Sequence, residues 1–291
     1  MSTPDDKPAA GGQLENFRQS ITSVPKGVLD PALAAQRFRL GRYEPAPDLK
    51  FFIEYFWIVE WDLRGREPHV QKTLPYPCVH LVFDLRKTAI FGVMRGAFEY
   101  QLEGAGRVLG VRFRPGGFRG VLGGPLAAIT DRTLPLSSVY QINADAAEAE
   151  VLGAGGDMGM VGVAERFLRT RMPDADETID LVHGIVERVA NDRTLNRVDE
   201  LATQVNLSER ALQRLFNDYV GVSPKWVIRR SRLHDAAARL ANAEDVNLTH
   251  LAAELGYSDQ AHFTRDFKAL VGRSPSDYRR SASGESSGNP R

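Results

Sequence analysis

The sequence predicts an α+β protein of several domains, with a β-rich domain in front, a helical connector and an all-α domain behind. Three observations support this prediction. The length of 291 residues exceeds that of one typical domain. Strand-like alternation fills about 36–130, and helical periodicity follows it. The expected parts are a polar tail at 1–15, the β-rich domain at 16–144, the connector at 145–191, the all-α domain at 192–281 and a polar tail at 282–291.

Composition indicates a soluble chain with an ordinary apolar core, because 43% of the residues are hydrophobic. No apolar run reaches the roughly 18 residues that a membrane span needs. The N-terminus has no basic stretch followed by an apolar one, so a secretory signal is not expected. The single cysteine, Cys78, excludes an internal disulfide and fits a reducing compartment. We therefore expect a cytoplasmic protein that does not bind membranes.

Net charge gives little support for nucleic-acid binding. The formal charge is zero, and the stretch 190–280 holds 14 Lys and Arg against 12 Asp and Glu. A DNA-binding domain usually carries a clearer basic excess. A prediction of DNA binding must therefore depend on sequence pattern and on where the charges lie.

Alternation of apolar and polar residues predicts the strands of the front domain. Residues 55–61 place Tyr55, Trp57 and Trp61 on one strongly aromatic face. Short strands are also expected at 79–84, 89–93 and 108–113, separated by Gly and Pro clusters. Many short strands at close spacing favour a small barrel or sandwich. An inert β-domain is equally compatible with this periodicity.

The connector shows two amphipathic helical patterns, one over 158–171 and one that begins after Pro173. The second carries a wide apolar stripe, which must be covered by something. We expect the stripe to hold two subunits together as a homodimer; packing against its own chain is the alternative. The stripe consists of Ile179, Val182, Ile185, Val186 and Val189.

One helix-turn-helix pattern occurs twice in the rear domain. Residues 201–208 and 251–258 begin the two copies, 50 positions apart. Each copy continues into a second helix and closes with a Gly-x-Ser-Pro sequence, at 221–224 and 272–275. Two such units on one chain predict a reader of two successive major grooves of DNA.

Local signals place the turn and the second helix of each unit. Asn206 and Gly256 stand where a left-handed backbone is needed, and Ser208 and Ser258 stand where an N-cap is expected. With the apolar residues turned inward, Arg and Gln side chains on the second helices suit base edges and Lys268 suits phosphate. A solvated helix face is the alternative for either helix alone.

A third helix is expected between the two units, from Pro224 to Leu240. About 18 residues at ~1.5 Å per residue give roughly 27 Å, which approaches one turn of DNA, about 34 Å. Arg229, Arg230 and Arg232 on this helix are expected to contact phosphate. Solvation or pairing with Asp235 is the equal alternative.

Residues 192–280 resemble the DNA-binding domain of the AraC/XylS family of bacterial transcription regulators. The stretch 252–268 is close to the family's signature. The resemblance implies a sequence-specific regulator that binds promoter DNA and works with RNA polymerase. The first unit has Asn206 and Leu207 where the second has Gly and Tyr, which leaves its base preference open. By position, the base-facing residues are Arg210, Gln213, Arg214, Gln260, His262 and Arg265.

The stretches 74–83 and 110–118 resemble an N-terminal domain found in many such regulators. The family often carries a cupin-like barrel that binds a small effector, followed by helices that dimerise. The resemblance therefore implies a sensor domain with a small-molecule effector. The candidate ligand residues are Tyr55, Trp57, Trp61, His80, Arg112 and Arg114, with plain core positions and surface arginines as the alternatives.

No catalytic constellation is expected, nor any metal or cofactor. His69, Cys78 and His80 lie within 12 residues, but no carboxylate is well placed to complete a metal site. A redox role for Cys78 is disfavoured because no basic residue adjoins it in sequence. Two alternatives to an effector-controlled regulator stay open. In the first alternative, the front domain is a cupin-like metal enzyme fused to a DNA-targeting module. In the second, the front domain recruits a protein partner.

Overall fold

The computed structural model describes residue 21, residues 27–242 and residues 246–282. The predicted tails at 1–15 and 282–291 therefore lie outside the described residues, apart from Ala282. The described part of the front domain forms eight strands, so the prediction of a β-rich domain is confirmed. They are β1 (Arg39–Tyr43), β2 (Ile53–Asp62), β3 (His69–Thr73), β4 (His80–Phe83), β5 (Ala89–Phe91), β6 (Phe98–Leu102), β7 (Ala105–Phe113) and β8 (Thr133–Pro135).

The strands form two antiparallel sheets. One has six strands in the order β1-β2-β7-β4-β5-β8, and the other pairs β3 with β6. Alternation along β2 gives the large sheet two different faces. Phe56 and Ile58 are fully buried in a core that the connector helices share. Tyr55, Trp57 and Val59 point the other way and line a cavity.

Helices occur in the front domain and make up the regular structure of the described residues after it. A 3₁₀-helix at Leu126–Ile129 lies between α2 and α3. The helices are α1 (Pro31–Arg37), α2 (Arg119–Leu122), α3 (Leu136–Tyr140), α4 (Ala144–Gly153), α5 (Gly156–Arg169), α6 (Thr178–Asn191), α7 (Val198–Gln204), α8 (Glu209–Tyr219), α9 (Pro224–Asn242), α10 (Leu248–Glu254), α11 (Gln260–Val271) and α12 (Pro275–Ala282). Within the described ranges, none of them is long and apolar enough to cross a membrane.

The apolar stripe of α6 packs within its own chain, so it does not form the expected dimer contact. Ile179 joins the core of the large sheet. The rest of the stripe, from Val182 to Val189, joins the core of the first helix-turn-helix unit. Exposure along the stripe does not exceed 6%, the value at Val186. A helix between two domains can bury its apolar stripe against both of them. The periodicity of the helix shows that the stripe is buried, but it does not show whether the covering residues belong to the same chain or to a second subunit.

The rear domain has two cores, and both include side chains of the front domain. Phe216 of α8 lies in the first core together with Val93. Phe263 of α11 lies in the second together with Leu29 and Leu74. The front and rear domains are therefore packed together rather than connected only by the chain.

Candidate DNA interface and effector cavity

The first helix-turn-helix unit consists of α7 and α8. Asn206 adopts φ 55° in the turn between them, as predicted. The Ser208 hydroxyl accepts a hydrogen bond from the Ala211 amide at 3.2 Å, which confirms Ser208 as the N-cap of α8. Leu212 and Phe216 are fully buried, and this fixes which face of α8 turns outward. That face exposes Arg210, Gln213 and Arg214.

The second unit consists of α10 and α11. Gly256 takes φ 77° in its turn, and an added Cβ there would lie 2.7 Å from the Asn196 side chain. The N-cap of α11 is Asp259 rather than the predicted Ser258, because the Asp259 carboxylate accepts a hydrogen bond from the His262 amide at 2.7 Å. Phe263 and Phe267 are fully buried. The opposite face exposes Gln260, His262, Arg265 and Lys268.

The exposed arginines of α8 and α11 have few acidic side chains close to them. Among the described residues, no carboxylate lies within ion-pair distance of Arg210, Arg214 or Arg265. Two neighbours are partly engaged: the Gln260 Oε1 accepts a hydrogen bond from Thr249 at 2.8 Å, and the His262 Nε2 lies 3.6 Å from an Asp266 oxygen. An arginine without a carboxylate partner can offer its planar fork to guanine or phosphate.

Arg230 is not on this surface, contrary to the sequence prediction. Its residue exposure is 4%, and its Nη2 donates to the carbonyl oxygen of Arg95 at 2.7 Å. Weaker contacts reach the carbonyls of Met94 and Gly96. Burial lowers the pKa of Arg230 to about 10. The linker helix turns this side chain toward the front domain, so in this arrangement it does not reach DNA.

The other two linker arginines are also engaged. Arg229 pairs with Asp266 of α11. Arg232 is 2% exposed and donates through Nε to Asn196 at 3.1 Å. Through Arg229 and Arg232 the linker helix contacts the second unit and the segment that precedes the first unit.

A cavity of about 230 Å³ lies between the six-stranded sheet and the β3–β6 pair. Most of its wall is apolar, which is typical of small-molecule sites. Cross-strand register places the candidate ligand residues side by side on three strands. Arg112 of β7 is opposite Tyr55 of β2 and His80 of β4, while Trp57 is opposite Gly110. The lining of the cavity includes four of the predicted ligand residues: Tyr55, Trp57, His80 and Arg112.

Gly110 makes room for the indole of Trp57. A Cβ on Gly110 would lie 2.0 Å from the Trp57 ring, so another residue there would displace it. The Trp57 Nε1 donates to the His80 Nδ1 at 3.3 Å. Since indole only donates, His80 carries its proton on Nε2, 3.4 Å from the Cys78 sulfur. Burial, aided by Arg112, lowers the pKa of His80 to about 3, so His80 is neutral.

Two predicted ligand residues lie elsewhere. Trp61 is 6% exposed and packs with Leu63 and Leu102, and it donates through Nε1 to the Glu103 carbonyl at 3.1 Å. Arg114 lies outside the cavity and pairs with Asp180 of α6 at 3.0 Å. Neither side chain is part of the cavity lining.

Tyr76 and Glu54 are site residues that sequence reasoning missed. Tyr76 stands in a Pro-Tyr-Pro turn, and its ring lies between the Arg112 guanidinium, 4.4 Å away, and the His234 ring of α9, 4.3 Å away. Glu54 lies at an irregularity of the β2–β7 register, where it has no cross-strand partner. Its Oε2 lies 3.0 Å from the Arg112 Nε. A β-bulge re-aims a side chain in this way, and strict alternation does not predict it.

The surroundings of Cys78 differ from the sequence expectation. Arg112 and His80 adjoin it in space although no basic residue adjoins it along the chain. Burial nevertheless raises the pKa of the Cys78 thiol to about 11, so the thiol is protonated at neutral pH. His69 lies apart on β3, where it contacts Gln71 at 3.2 Å.

The cavity wall and the linker helix touch directly. The His234 Nε2 lies 3.3 Å from the Pro75 carbonyl, beside the Tyr76 contact. The first unit is tied to the front domain as well, because the Thr130 hydroxyl donates to the Gly221 carbonyl at 2.5 Å. The front domain thus contacts both the linker helix and the segment that follows α8.

Two repeated units with exposed arginines on their second helices define a double helix-turn-helix DNA-binding protein. Comparison with family models agrees with this class. Residues 201–281 match a helix-turn-helix domain, and residues 41–135 match a domain of unknown function, DUF6597.

Curated relatives match part of this chain. The probable transcription factor PqrA of Proteus vulgaris is 34% identical over 83 residues, which are 28% of this chain and 67% of PqrA. An uncharacterized HTH-type transcriptional regulator of Haemophilus influenzae is 35% identical over 99 residues, 34% of this chain and 32% of that protein. The chain belongs to the AraC/XylS family of transcription regulators.

The chain spans about a third of the length of the first curated relatives that it matches, 32% and 29%. Among solved structures, apo ToxT from Vibrio cholerae is 13% identical and covers 77% of this chain and 96% of its own, with a TM-score of 0.37. That similarity supports no functional inference.

Proposed function

We propose that this protein is a sequence-specific transcription regulator that reads two adjacent major-groove segments and responds to a small effector in the front-domain cavity. The observation that carries the proposal is the pair of exposed second helices, α8 and α11, on a repeated scaffold. The 19-residue helix α9 joins the two units. At ~1.5 Å per residue it spans roughly 28 Å, close to the spacing of successive major grooves.

The base-facing residues of the proposal are Arg210, Gln213 and Arg214 on α8, with Gln260, His262 and Arg265 on α11. Arg suits guanine O6 and N7, and Gln suits adenine N6 and N7. Lys268, exposed on α11, suits phosphate. The partners are then promoter DNA and the RNA polymerase that works there.

A small effector fits the cavity better than a protein partner does. The lining residues surround the space from both sheets, whereas a protein partner needs an open surface. A homodimer, where one forms, uses a surface other than the buried stripe of α6.

The test is a footprint on the promoter of the protein's own gene. Two protected patches about 10 bp apart on one face of the duplex are expected for each subunit. Arg265→Ala and Arg214→Ala should each weaken binding by about 1–3 kcal/mol and relax preference at one or two base pairs. Lys268→Ala should weaken all sequences alike and reduce the salt slope by about one.

Arg166→Ala is the matched control, since Arg166 is an exposed arginine of α5 whose contact is Glu150 at 3.8 Å. It removes the same charge and should leave base preference unchanged. A single protected groove per subunit would contradict the two-unit reading. Unchanged preference in Arg265→Ala would contradict the assignment of α11.

A further inference from the structure

The residues just before the first helix-turn-helix unit touch the turn of the second unit. Asn196 lies one position before Arg197, the N-cap residue of α7. Its side chain lies beside Gly256, in the turn between α10 and α11, where an added Cβ would lie 2.7 Å from the Asn196 Cγ. The entry to the first unit therefore contacts the second unit directly, in addition to the connection through α9.

A comparison of the two turns separates two requirements for glycine at position 256. The corresponding turn of the first unit contains Asn206 at φ 55°, so this turn conformation accepts asparagine. The Asn196 side chain adds a second requirement, because its Oδ1 and Nδ2 would lie only 2.9 Å and 3.0 Å from a Cβ on Gly256. Glycine at 256 thus permits a close approach that asparagine would prevent.

Arg232 of α9 holds Asn196 in place. Arg232 is 2% exposed, and its Nε donates a hydrogen bond to the Asn196 Oδ1 at 3.1 Å. Its Nη2 donates to the backbone carbonyls of Asp192, at 2.7 Å, and Leu195. One buried guanidinium therefore binds three oxygens of residues 192–196, which we call the entry segment.

The linker helix α9 is also fixed to both helices of the second unit. Arg229 pairs with Asp266 of α11, and Arg239 pairs with Glu254 of α10 at 2.6 Å. Leu233 of α9 lies in the apolar core of the second unit. The linker helix thus joins the second unit to the entry segment of the first.

The hydrogen bonds of Arg232 restrict this arrangement more narrowly than apolar packing does. Val227 and Ile228 attach α9 to the core of the first unit. Burial of apolar surface is non-directional, whereas hydrogen bonds weaken steeply when their angles change. A buried arginine with its acceptors can therefore specify one arrangement of packed helices, as buried polar groups do in some coiled coils.

We infer that Arg232, Asn196 and Gly256 form a positioning cluster that fixes the rotation and distance of the second unit relative to the first. This inference rests on the proposed function, and it specifies which spacing of two DNA segments the protein accepts. Each base pair added between the segments moves one of them by about 3.4 Å and rotates it by roughly 35°. Two units held in a fixed arrangement cannot follow that change, so one of them loses its base contacts.

The experiment measures the affinity of the full chain for three DNA duplexes. One is the footprinted promoter site, and the other two have one base pair inserted or deleted between the protected patches. The wild type should bind each altered duplex roughly 10- to 100-fold more weakly, which is the loss expected for one or two good base contacts. Equal binding of the three duplexes by the wild type would overturn the inference.

Asn196→Ala tests the cluster most directly, because it removes an acceptor of Arg232 and the side chain that abuts Gly256. The preference for the original spacing should fall to about threefold or less, because a unit that can move adapts to a new spacing at the cost of some preorganisation. A preference as large as that of the wild type would overturn the inference. An equal loss of affinity on all three duplexes would also overturn it and would indicate a direct contact of Asn196 with DNA.

Gly256→Asn introduces the side chain that the first unit has at the same place in its turn. The added Cβ displaces Asn196, so the spacing preference should fall here too, and an unchanged preference would contradict the inference. Asn206→Gly makes the reverse exchange in the first unit and is the matched control, which should keep the wild-type preference. Thermal unfolding shows whether each variant is folded. Asn196 is exposed, so Asn196→Ala decides the question if Gly256→Asn does not fold.

The footprint of the wild type, measured on the same preparation, distinguishes failure of the proposed function from failure of the positioning cluster. A single protected patch per subunit refutes the reading of two adjacent major-groove segments. Two protected patches, together with a wild-type spacing preference in Asn196→Ala, refute only the positioning cluster and assign the spacing to the packing of α9.

Discussion

Replacing Gly110 by alanine tests how the cavity is built. A Cβ at this position would lie 2.0 Å and 2.1 Å from two carbons of the Trp57 ring. Optimal carbon contacts are about 3.5–4.0 Å, so the ring has to move by roughly 1.5 Å. The Trp57–His80 hydrogen bond is already 3.3 Å long and breaks with that shift.

The expected cost follows from these distances. Overpacking costs about 1–3 kcal/mol, and the lost hydrogen bond adds about 1 kcal/mol. The alanine offsets about 0.4–1 kcal/mol by restricting the unfolded chain. A net loss of about 2 kcal/mol corresponds to a fall in Tm of about 4–8 °C for a domain of this size.

Thermal unfolding followed by tryptophan fluorescence measures this effect. Gly184→Ala is the matched control because a Cβ there meets nothing within 4 Å in α6. It should raise stability by about 1 kcal/mol through helix propensity. A Gly110→Ala protein as stable as the wild type would show that the Trp57 ring does not lie over Gly110.

Three further predictions concern the connector, pH and coupling between domains. Val186→Glu should lower the Tm strongly and should not dissociate a dimer, because Val186 is buried within its own chain. Sedimentation and thermal unfolding together separate these two effects. A folded variant of smaller mass than the wild type would contradict our assignment. His80 has its pKa lowered to about 3 by burial, so the unfolded state binds a proton below about pH 6.5 and the folded state does not. Stability should therefore fall as pH drops from about 6.5 toward 3, by up to ~1.4 kcal/mol per pH unit, and His80→Gln should flatten this dependence in urea titrations. Tyr76→Ala removes the ring that contacts both Arg112 and His234, so the front and rear domains should no longer unfold in a single transition in calorimetry; a single transition retained in the variant would place the coupling between the domains elsewhere.

Local chemistry explains what could be predicted from the sequence. The turn residues Asn206 and Gly256 and the cap Ser208 act within a few positions of the chain, so their roles are readable from spacing. Alternation also identified Tyr55 and Trp57 as one face of a strand. Register, by contrast, is non-local, and the Tyr55–Arg112–His80 row required three strands to be aligned.

The sequence by itself determined the class of protein, because a repeated helix-turn-helix pattern contains its own turn, cap and core positions. Tertiary structure alone decided what covers each apolar face and where each arginine points. The stripe around Val186 is covered by the chain itself, and Arg230 faces carbonyls of the front domain instead of DNA. Periodicity reports that a face is buried or that a charge is present, but the identity of the partner depends on how distant segments pack.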